Sequence, residues 1–79
     1  MATILFFGRL QDAVGTRALT ADLPDLVRDT ESLRAWLGRD HPALRDPSVR
    51  IAVNAELRSG RAPLADSDEI AFLPPMSGG

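Results

Sequence analysis

One segment of this sequence predicts an amphipathic helix, and this limits the folds that the chain can adopt. Leu33, Trp36 and Leu37 lie at positions i, i+3 and i+4, which places them on one face of a helix. Asp29 or Thr30 can cap its start, and a His-Pro pair ends it because the residue before proline avoids helical backbone angles. One amphipathic helix can cover only one face of whatever sheet the other segments form.

Five segments have the pattern of β-strands. Residues 3–7 form an apolar run rich in branched and aromatic side chains, and residues 69–73 form another that two prolines end. In residues 49–54 alternate positions are apolar, which is typical of a half-covered strand. Residues 16–23 alternate weakly and favour a hairpin with the first strand, and residues 56–58 predict a short strand.

The predicted order is strand, strand, helix, strand, short strand, strand, with residues 11–15 as a connection that is compatible with one helical turn. A right-handed crossover through the helix brings the later strands beside the first one. This order predicts an α+β fold of the ubiquitin-like β-grasp type, with a mixed four- to five-stranded sheet and one main helix packed on one face. We expect residues 1–73 to form the β-grasp domain and residues 74–79 to form an extended C-terminal tail.

The composition excludes several classes of site. The 79 residues contain no Cys and a single His, which excludes disulfides, thiolate metal sites and a cysteine nucleophile. All nine basic residues are Arg, so a Walker-type phosphate loop and a Schiff-base lysine are also excluded. We therefore expect the chain to bind neither a metal nor a cofactor. The arginines are interleaved with eleven acidic residues and form no basic stripe, which predicts no binding to nucleic acid.

We also expect no membrane role. No run of the sequence approaches the roughly 18 apolar residues that a membrane span needs. The N-terminus lacks the basic-then-apolar layout of a secretory signal, which predicts a cytoplasmic location.

The run from Ile4 to Phe7 in the first strand is apolar at every position, although alternate residues of a strand point to opposite faces of a sheet. One helix cannot cover both faces. Either a loop covers the second face, or an exposed apolar cluster that includes Phe7 and Leu73 marks a protein partner. The sequence does not decide which face Phe7 occupies, because a shift of one residue exchanges the two faces.

The C-terminal segment predicts a projecting tail. Its residues are Pro74, Pro75, Met76, Ser77, Gly78 and Gly79. Two prolines stiffen the exit from the last strand, and the segment can extend up to about 20 Å. Two terminal glycines lack a Cβ and can pass through a channel too narrow for other residues. A carboxylate is a poor electrophile until it is joined to a nucleotide phosphate. Since this chain has no evident ATP site, an activating enzyme must act on it.

The sequence resembles the family of molybdopterin synthase small subunits over essentially its whole length. The segments that carry this resemblance are residues 4–8, 51–54, 63–72 and 73–79. The resemblance implies a ubiquitin-like β-grasp sulfur carrier. This sequence departs from the family pattern at two positions. Leu73 stands where relatives often have an aromatic residue. Ser67 replaces a common glycine, and the serine is strained if its φ is positive.

The resemblance also implies roles for the tail and its surroundings. An E1-like adenylating enzyme uses ATP to adenylate Gly79, and a sulfur donor protein converts it to a thiocarboxylate. The tail then enters the large subunit and gives its sulfur to cyclic pyranopterin monophosphate. The chain is thus a carrier subunit without an active site of its own. Gly78, Ser77 and Met76 would pass into the large subunit. The expected interface residues are Phe7, Leu73, Pro74 and Pro75.

Three alternatives remain open from the sequence. The chain could carry sulfur for thiamine synthesis or for another thiocarboxylate pathway. It could be a ubiquitin-like modifier whose activated Gly79 is passed to a lysine of a target protein. It could also be a plain interaction domain with an inert tail.

Overall fold

The computed structural model describes residues 1–75 of the chain. Its elements are β1 (Ala2–Phe6), α1 (Leu10–Val14), β2 (Ala18–Ala21), α2 (Thr30–Gly38), a 3₁₀ helix (Pro42–Arg45), β3 (Arg50–Val53), β4 (Glu56–Arg58) and β5 (Glu69–Leu73). The second strand is shorter than predicted because the chain turns just before it. There the Thr16 hydroxyl donates a 3.0 Å hydrogen bond to the carbonyl of Ala18.

The five strands form one sheet in the order β2-β1-β5-β3-β4. The central strands β1 and β5 are parallel, and the other neighbouring pairs are antiparallel. The parallel pair requires a crossover between β1 and β5, and the segment that contains α2 provides it. The predicted fold, an α+β β-grasp with a mixed sheet and one main helix, is confirmed.

The core lies between α2 and one face of the sheet. Ile4 and Phe6 of β1 pair in register with Ile70 and Phe72 of β5, and all four are at most 1% exposed. The rings of Phe6 and Phe72 stack with their centroids 5.8 Å apart. Leu33 of α2 is fully buried in the same cluster. Burial of each large apolar side chain contributes about 1.5–3 kcal/mol, so this cluster holds the helix to the sheet.

The start of α2 is fixed by a capping box. Asp29 is the N-cap residue: its carboxylate accepts a 2.8 Å hydrogen bond from the backbone N–H of Ser32, whose hydroxyl accepts one from the Asp29 N–H. The bond from the Ser32 N–H is the main reason why the pKa of Asp29 is lowered. Of the two predicted caps, the structure therefore uses Asp29. Thr30 is buried instead, and its hydroxyl bonds the loop that precedes β5.

Arg34 joins α2 to the segment that follows the 3₁₀ helix. Its guanidinium donates hydrogen bonds of 2.9, 3.0 and 2.8 Å to the carbonyls of Leu44, Asp46 and Val49. The flat, five-donor fork of arginine suits several carbonyls at once. This residue therefore holds the chain in position as it leaves the helix and enters β3.

Among residues 1–75, the non-glycine residues with positive φ lie in the turn between β3 and β4. Asn54 has φ 51° and Ala55 has φ 69°, which match a two-residue turn of type I′. Asparagine tolerates this conformation, whereas alanine is strained in it. Ser67 does not have a positive φ, so the strain considered for it from the sequence does not arise.

Candidate functional site

The face of the sheet opposite α2 carries an apolar stripe that crosses four strands. Leu5 lies beside Ala71 across β1 and β5, Ala71 lies opposite Ala52 across β5 and β3, and Ala52 lies opposite Leu57 across β3 and β4. The open face is defined here by Leu5, Phe7, Ala52, Leu57, Ala71 and Leu73. Because strand side chains alternate, these residues point away from the core cluster.

Two members of the open face are substantially exposed. Phe7 is 42% exposed and Leu57 is 55% exposed, whereas Leu5, Ala71 and Leu73 are half-buried. Within residues 1–75, therefore, no loop covers this face at Phe7 and Leu57. The exposures also show which face of the sheet Phe7 occupies. Phe6 is 1% exposed and packs under α2, and Phe7 lies on the opposite face.

Leu57 was missed as a surface residue in the sequence analysis, which assigned residues 56–58 to a strand without choosing a face for them. A two-residue turn at Asn54 and Ala55 places Leu57 opposite Ala52. A two-residue turn fixes which residues of β3 and β4 pair, so the turn could have indicated that Leu57 lies on the same face as Ala52.

The tail leaves the sheet where β1 and β5 end side by side. The Phe7 N–H donates a 3.1 Å hydrogen bond to the carbonyl of Phe72, which extends the pairing beyond β1. Gly8 follows with φ +56°, and a Cβ at this position would lie 2.9 Å from Cγ of Pro74. Glycine therefore allows the chain after β1 to approach the first residue of the tail. The sequence analysis treated Gly8 only as the end of a strand.

Pro74 and Pro75 are half-buried, so the base of the tail is in contact with the domain. Pro75 borders a groove of about 720 Å³ between α1 and the 3₁₀ helix, together with Leu10 and Ala43. The other tail residues assigned to the site, Met76, Ser77, Gly78 and Gly79, lie outside the described residues. The structure thus brings together Phe7, Leu73 and Pro74 around the point where the tail begins.

The titratable groups with shifted pKa values have structural partners. The hydroxyl and backbone N–H of Ser48 lower the pKa of Asp46, and the backbone N–H of Ala65 followed by the side chain of Asn54 lowers that of Asp68. Each carboxylate thus accepts hydrogen bonds that fix a turn. Among residues 1–75, no three His, Cys, Asp or Glu side chains are grouped so that they could hold a metal ion. In the same part of the chain, none of the helices has both the length and the apolar character needed to cross a membrane.

Comparison with known proteins agrees with this geometry. The chain is 40% identical over 81 residues to the molybdopterin synthase sulfur carrier subunit of Escherichia coli K12, with 100% of each chain covered. Its fold matches the crystal structure of SAMP1 from Haloferax volcanii with a TM-score of 0.78 at 25% identity, covering 99% of this chain and 98% of that one.

A second similar structure contains two kinds of chain. The fold matches one chain in the protein-protein complex of subunits 1 and 2 of the molybdopterin-converting factor from Helicobacter pylori 26695. The TM-score is 0.67 at 28% identity, and the match covers 99% of this chain and 97% of that one. The resemblance drawn from the sequence is thereby confirmed. Since the model of the ThiS family also matches residues 4–79, the chain belongs to the ThiS family.

Proposed function

We propose that this chain is the sulfur carrier subunit of a molybdopterin synthase. Its Gly79 is adenylated, converted to a thiocarboxylate, and donates its sulfur to cyclic pyranopterin monophosphate in molybdenum cofactor biosynthesis. The observation that carries the proposal is the 40% identity, over the full length of both chains, to the E. coli protein of that name. The exposed apolar surface beside the base of the tail supports it, since such a surface fits a protein partner.

The proposed chemistry takes place at the terminal carboxylate. One carboxylate oxygen of Gly79 attacks the α-phosphorus of ATP, and pyrophosphate leaves. A persulfide of the donor protein then attacks the acyl carbon, and AMP leaves with the attacking oxygen. A thiol cleaves the resulting acyl disulfide by thiol–disulfide exchange, which frees the thiocarboxylate and leaves a disulfide between the thiol and the donor. The net result is one sulfur in place of one oxygen. ATP is bound by the activating enzyme in this scheme, because the carrier has neither a lysine nor a glycine-rich phosphate loop.

The carrier's own residues bind the large subunit and orient the tail. The open face, with Phe7 and Leu57 as its exposed members, contacts the large subunit, and Leu73, Pro74 and Pro75 set the direction in which the tail leaves. Met76, Ser77 and Gly78 pass into the cleft of the large subunit and bring Gly79 to the substrate. Because activation consumes ATP, the proposal places the protein in the cytoplasm.

The test is the intact mass of the carrier after incubation with an E1-like activating enzyme, ATP and a sulfur donor. We expect the mass to rise by the difference between sulfur and oxygen. A chain that lacks Gly79 has the same domain and serves as the matched control, and its mass should stay unchanged. An unchanged mass of the full-length chain, under conditions that convert the E. coli carrier, would contradict the proposal.

A second candidate function is protein modification, which the similarity to SAMP1 favours, since SAMP1 is the name of the small archaeal modifier protein 1 of Methanosarcina acetivorans, whose fold is also similar. In this function the activated Gly79 is joined to a lysine of a target protein. Covalent adducts that survive boiling and reducing agent in cell extracts would support it. A carrier for thiamine synthesis or another thiocarboxylate pathway would instead gain sulfur and bind a different large partner in a pull-down.

A further inference from the structure

The fold gathers four arginines, distant in sequence, around the base of the tail. We call Arg9, Arg17, Arg45 and Arg50 the arginine rim. Arg9 directly follows Gly8, whose backbone lies against Pro74. Arg9 and Arg45 border the same groove as Pro75, the last residue described. The nine arginines are dispersed along the sequence, and the fold brings these four toward the same end of the sheet.

The strand register places the other two members at the same end of the sheet. Arg50, the first residue of β3, lies opposite Leu73, the last residue of β5. The carbonyl of Arg17 accepts a 2.9 Å hydrogen bond from the N–H of Phe6 at the end of β1. Arg17 also borders a shallow depression with Phe7. Members of the arginine rim therefore lie on several sides of the point where the tail begins.

The rim arginines are available for a partner. Within residues 1–75, the ion pairs closer than 4.0 Å involve Arg58, Arg61 and the N-terminal amine, and none involves a rim guanidinium. Two acids do lie nearby. Asp46 borders the groove of Arg9 and Arg45, where its carboxylate accepts two hydrogen bonds from Ser48 and the charge of Arg9 also helps to lower its pKa. Glu31 borders the cleft of Arg45 and Arg50.

Arg45 is held in place by the helix beside it. A Cβ on Gly38 of α2 would overlap Cγ of Arg45, so the arginine stem occupies the space that this glycine leaves. A side chain that is already positioned loses less conformational entropy when it binds a partner. This contact favours a role in recognition over one in solubility.

The opposite end of the sheet is acidic. Asp22 directly follows β2, while Asp68 and Glu69 lie at the start of β5, which pairs with the start of β1. The net charge of the chain is −2, so the arginine rim is a local basic region on an acidic protein. Such an asymmetric distribution of charge orients the molecule in the electric field of a charged partner.

We propose that the arginine rim binds acidic side chains around the mouth of the large-subunit cleft that receives the tail. This inference rests on the proposed function. Any cleft that the tail enters is brought against the rim, because the rim surrounds the tail's base. An acidic mouth attracts the rim and repels the acidic far end, so the tail points at the cleft before contact. Complementary charge of this kind raises the association rate and fixes orientation.

The test compares association rates with the large subunit, measured by stopped-flow fluorescence over a range of ionic strength. Arg9→Glu and Arg50→Glu reverse charges of the rim. Arg28→Glu gives the same change in net charge away from the tail, where Arg28 borders a depression with Asp25 and Asp66. We expect about a tenfold or larger slowing at low salt for each rim variant. The difference should shrink near 1 M salt, where the screening length falls to about 3 Å.

At about 0.1 M salt, where the screening length is about 10 Å, Arg28→Glu should slow association clearly less than the rim variants do, because its charge lies away from the tail. If the rim and control variants slow association equally, the effect is due to net charge alone and the inference is overturned. Unchanged or faster association of the rim variants would also overturn it. Arg9→Gln and Arg50→Gln should give intermediate rates, and the melting temperature of each variant confirms that it is folded.

The same samples separate this inference from the proposed function. Thiocarboxylate formation and binding of the large subunit by the unchanged chain test the function. If both occur and the rim variants associate at the normal rate, only the arginine rim is refuted. Binding of a single-stranded RNA oligonucleotide more tightly than the large subunit would overturn the choice of a protein partner.

Discussion

At the level of single residues, Thr30 shows how one buried hydroxyl joins two parts of the chain. It donates a 3.1 Å hydrogen bond to the carbonyl of Gly60 and accepts one of the same length from the N–H of Ala62. Thr30→Val keeps the shape and removes both bonds, which leaves the buried Ala62 N–H without this acceptor. We expect the free energy of unfolding to fall by about 1–3 kcal/mol, measured by urea unfolding. Thr30→Ser keeps the hydroxyl and should lose less. Equal losses in the two variants would contradict this account.

A substitution in the turn between β3 and β4 should instead raise the free energy of unfolding. Ala55 has φ 69°, where an L side chain costs about 1–2 kcal/mol and glycine does not. Ala55→Gly relieves this strain but adds about 0.4–1 kcal/mol of chain entropy to the unfolded state. We expect a net stabilisation of roughly 1 kcal/mol, seen as a higher urea midpoint with an unchanged slope. Ala13→Gly, at an exposed position in α1, is the control and should destabilise the protein.

At the level of the elements, the sequence predicted which segments are strands and which is the main helix, but not their faces. The stripe of Leu33, Trp36 and Leu37 is a local pattern, so α2 could be predicted from its own residues. The phase of β1 could not, because the run from Ile4 to Phe7 is apolar on both faces and only tertiary packing decides which side meets α2. For the same reason, the sequence indicated Phe7 as a surface candidate without deciding its face.

The adjacent residues Phe6 and Phe7 provide the corresponding test. Phe7→Asp places a charge on a side chain that is already 42% exposed, so the free energy of unfolding should change little. Under the proposed function, its binding to the large subunit should weaken by at least about tenfold, as for an aromatic residue central to an interface. Phe6→Asp buries a charge in the core and should unfold the chain. Unfolding of the Phe7 variant, detected by circular dichroism, would show that the two faces are assigned wrongly.

At the level of the whole molecule, the fold places its potential binding features at one end. The ends of β1 and β5, the exposed ring of Phe7 and the base of the tail lie together because the two central strands are parallel. Neither the grouping of the arginine rim nor the approach of Gly8 to Pro74 follows from local sequence. Both depend on contacts between separate segments, such as Gly8 with Pro74 and Arg50 with Leu73. The extended tail stays a prediction from the order of its residues, because residues 76–79 lie outside the described part of the chain.

The response of the whole molecule to acid follows from three carboxylates. Hydrogen bonds from Ser32 to Asp29, from Ser48 to Asp46, and from Ala65 and Asn54 to Asp68 lower the pKa of each carboxyl. A lowered pKa in the folded state means that the ionised group stabilises the fold above the unfolded pKa of about 3.9. This contribution is lost as the pH falls through the folded values. We therefore expect the urea midpoint to drop below about pH 4.

Asp68→Asn isolates one part of this acid response. The variant loses the charge that accepts bonds from the Ala65 N–H and the Asn54 amide, so it should be less stable than the unchanged chain at neutral pH. Because that contribution is then already absent, its midpoint should fall less on acidification. Asp66→Asn, an exposed position in the same turn, is the control for net charge. If Asp68→Asn and the unchanged chain lose equal stability between neutral and acid pH, the carboxylate of Asp68 does not link the turn before β5 to the hairpin of β3 and β4.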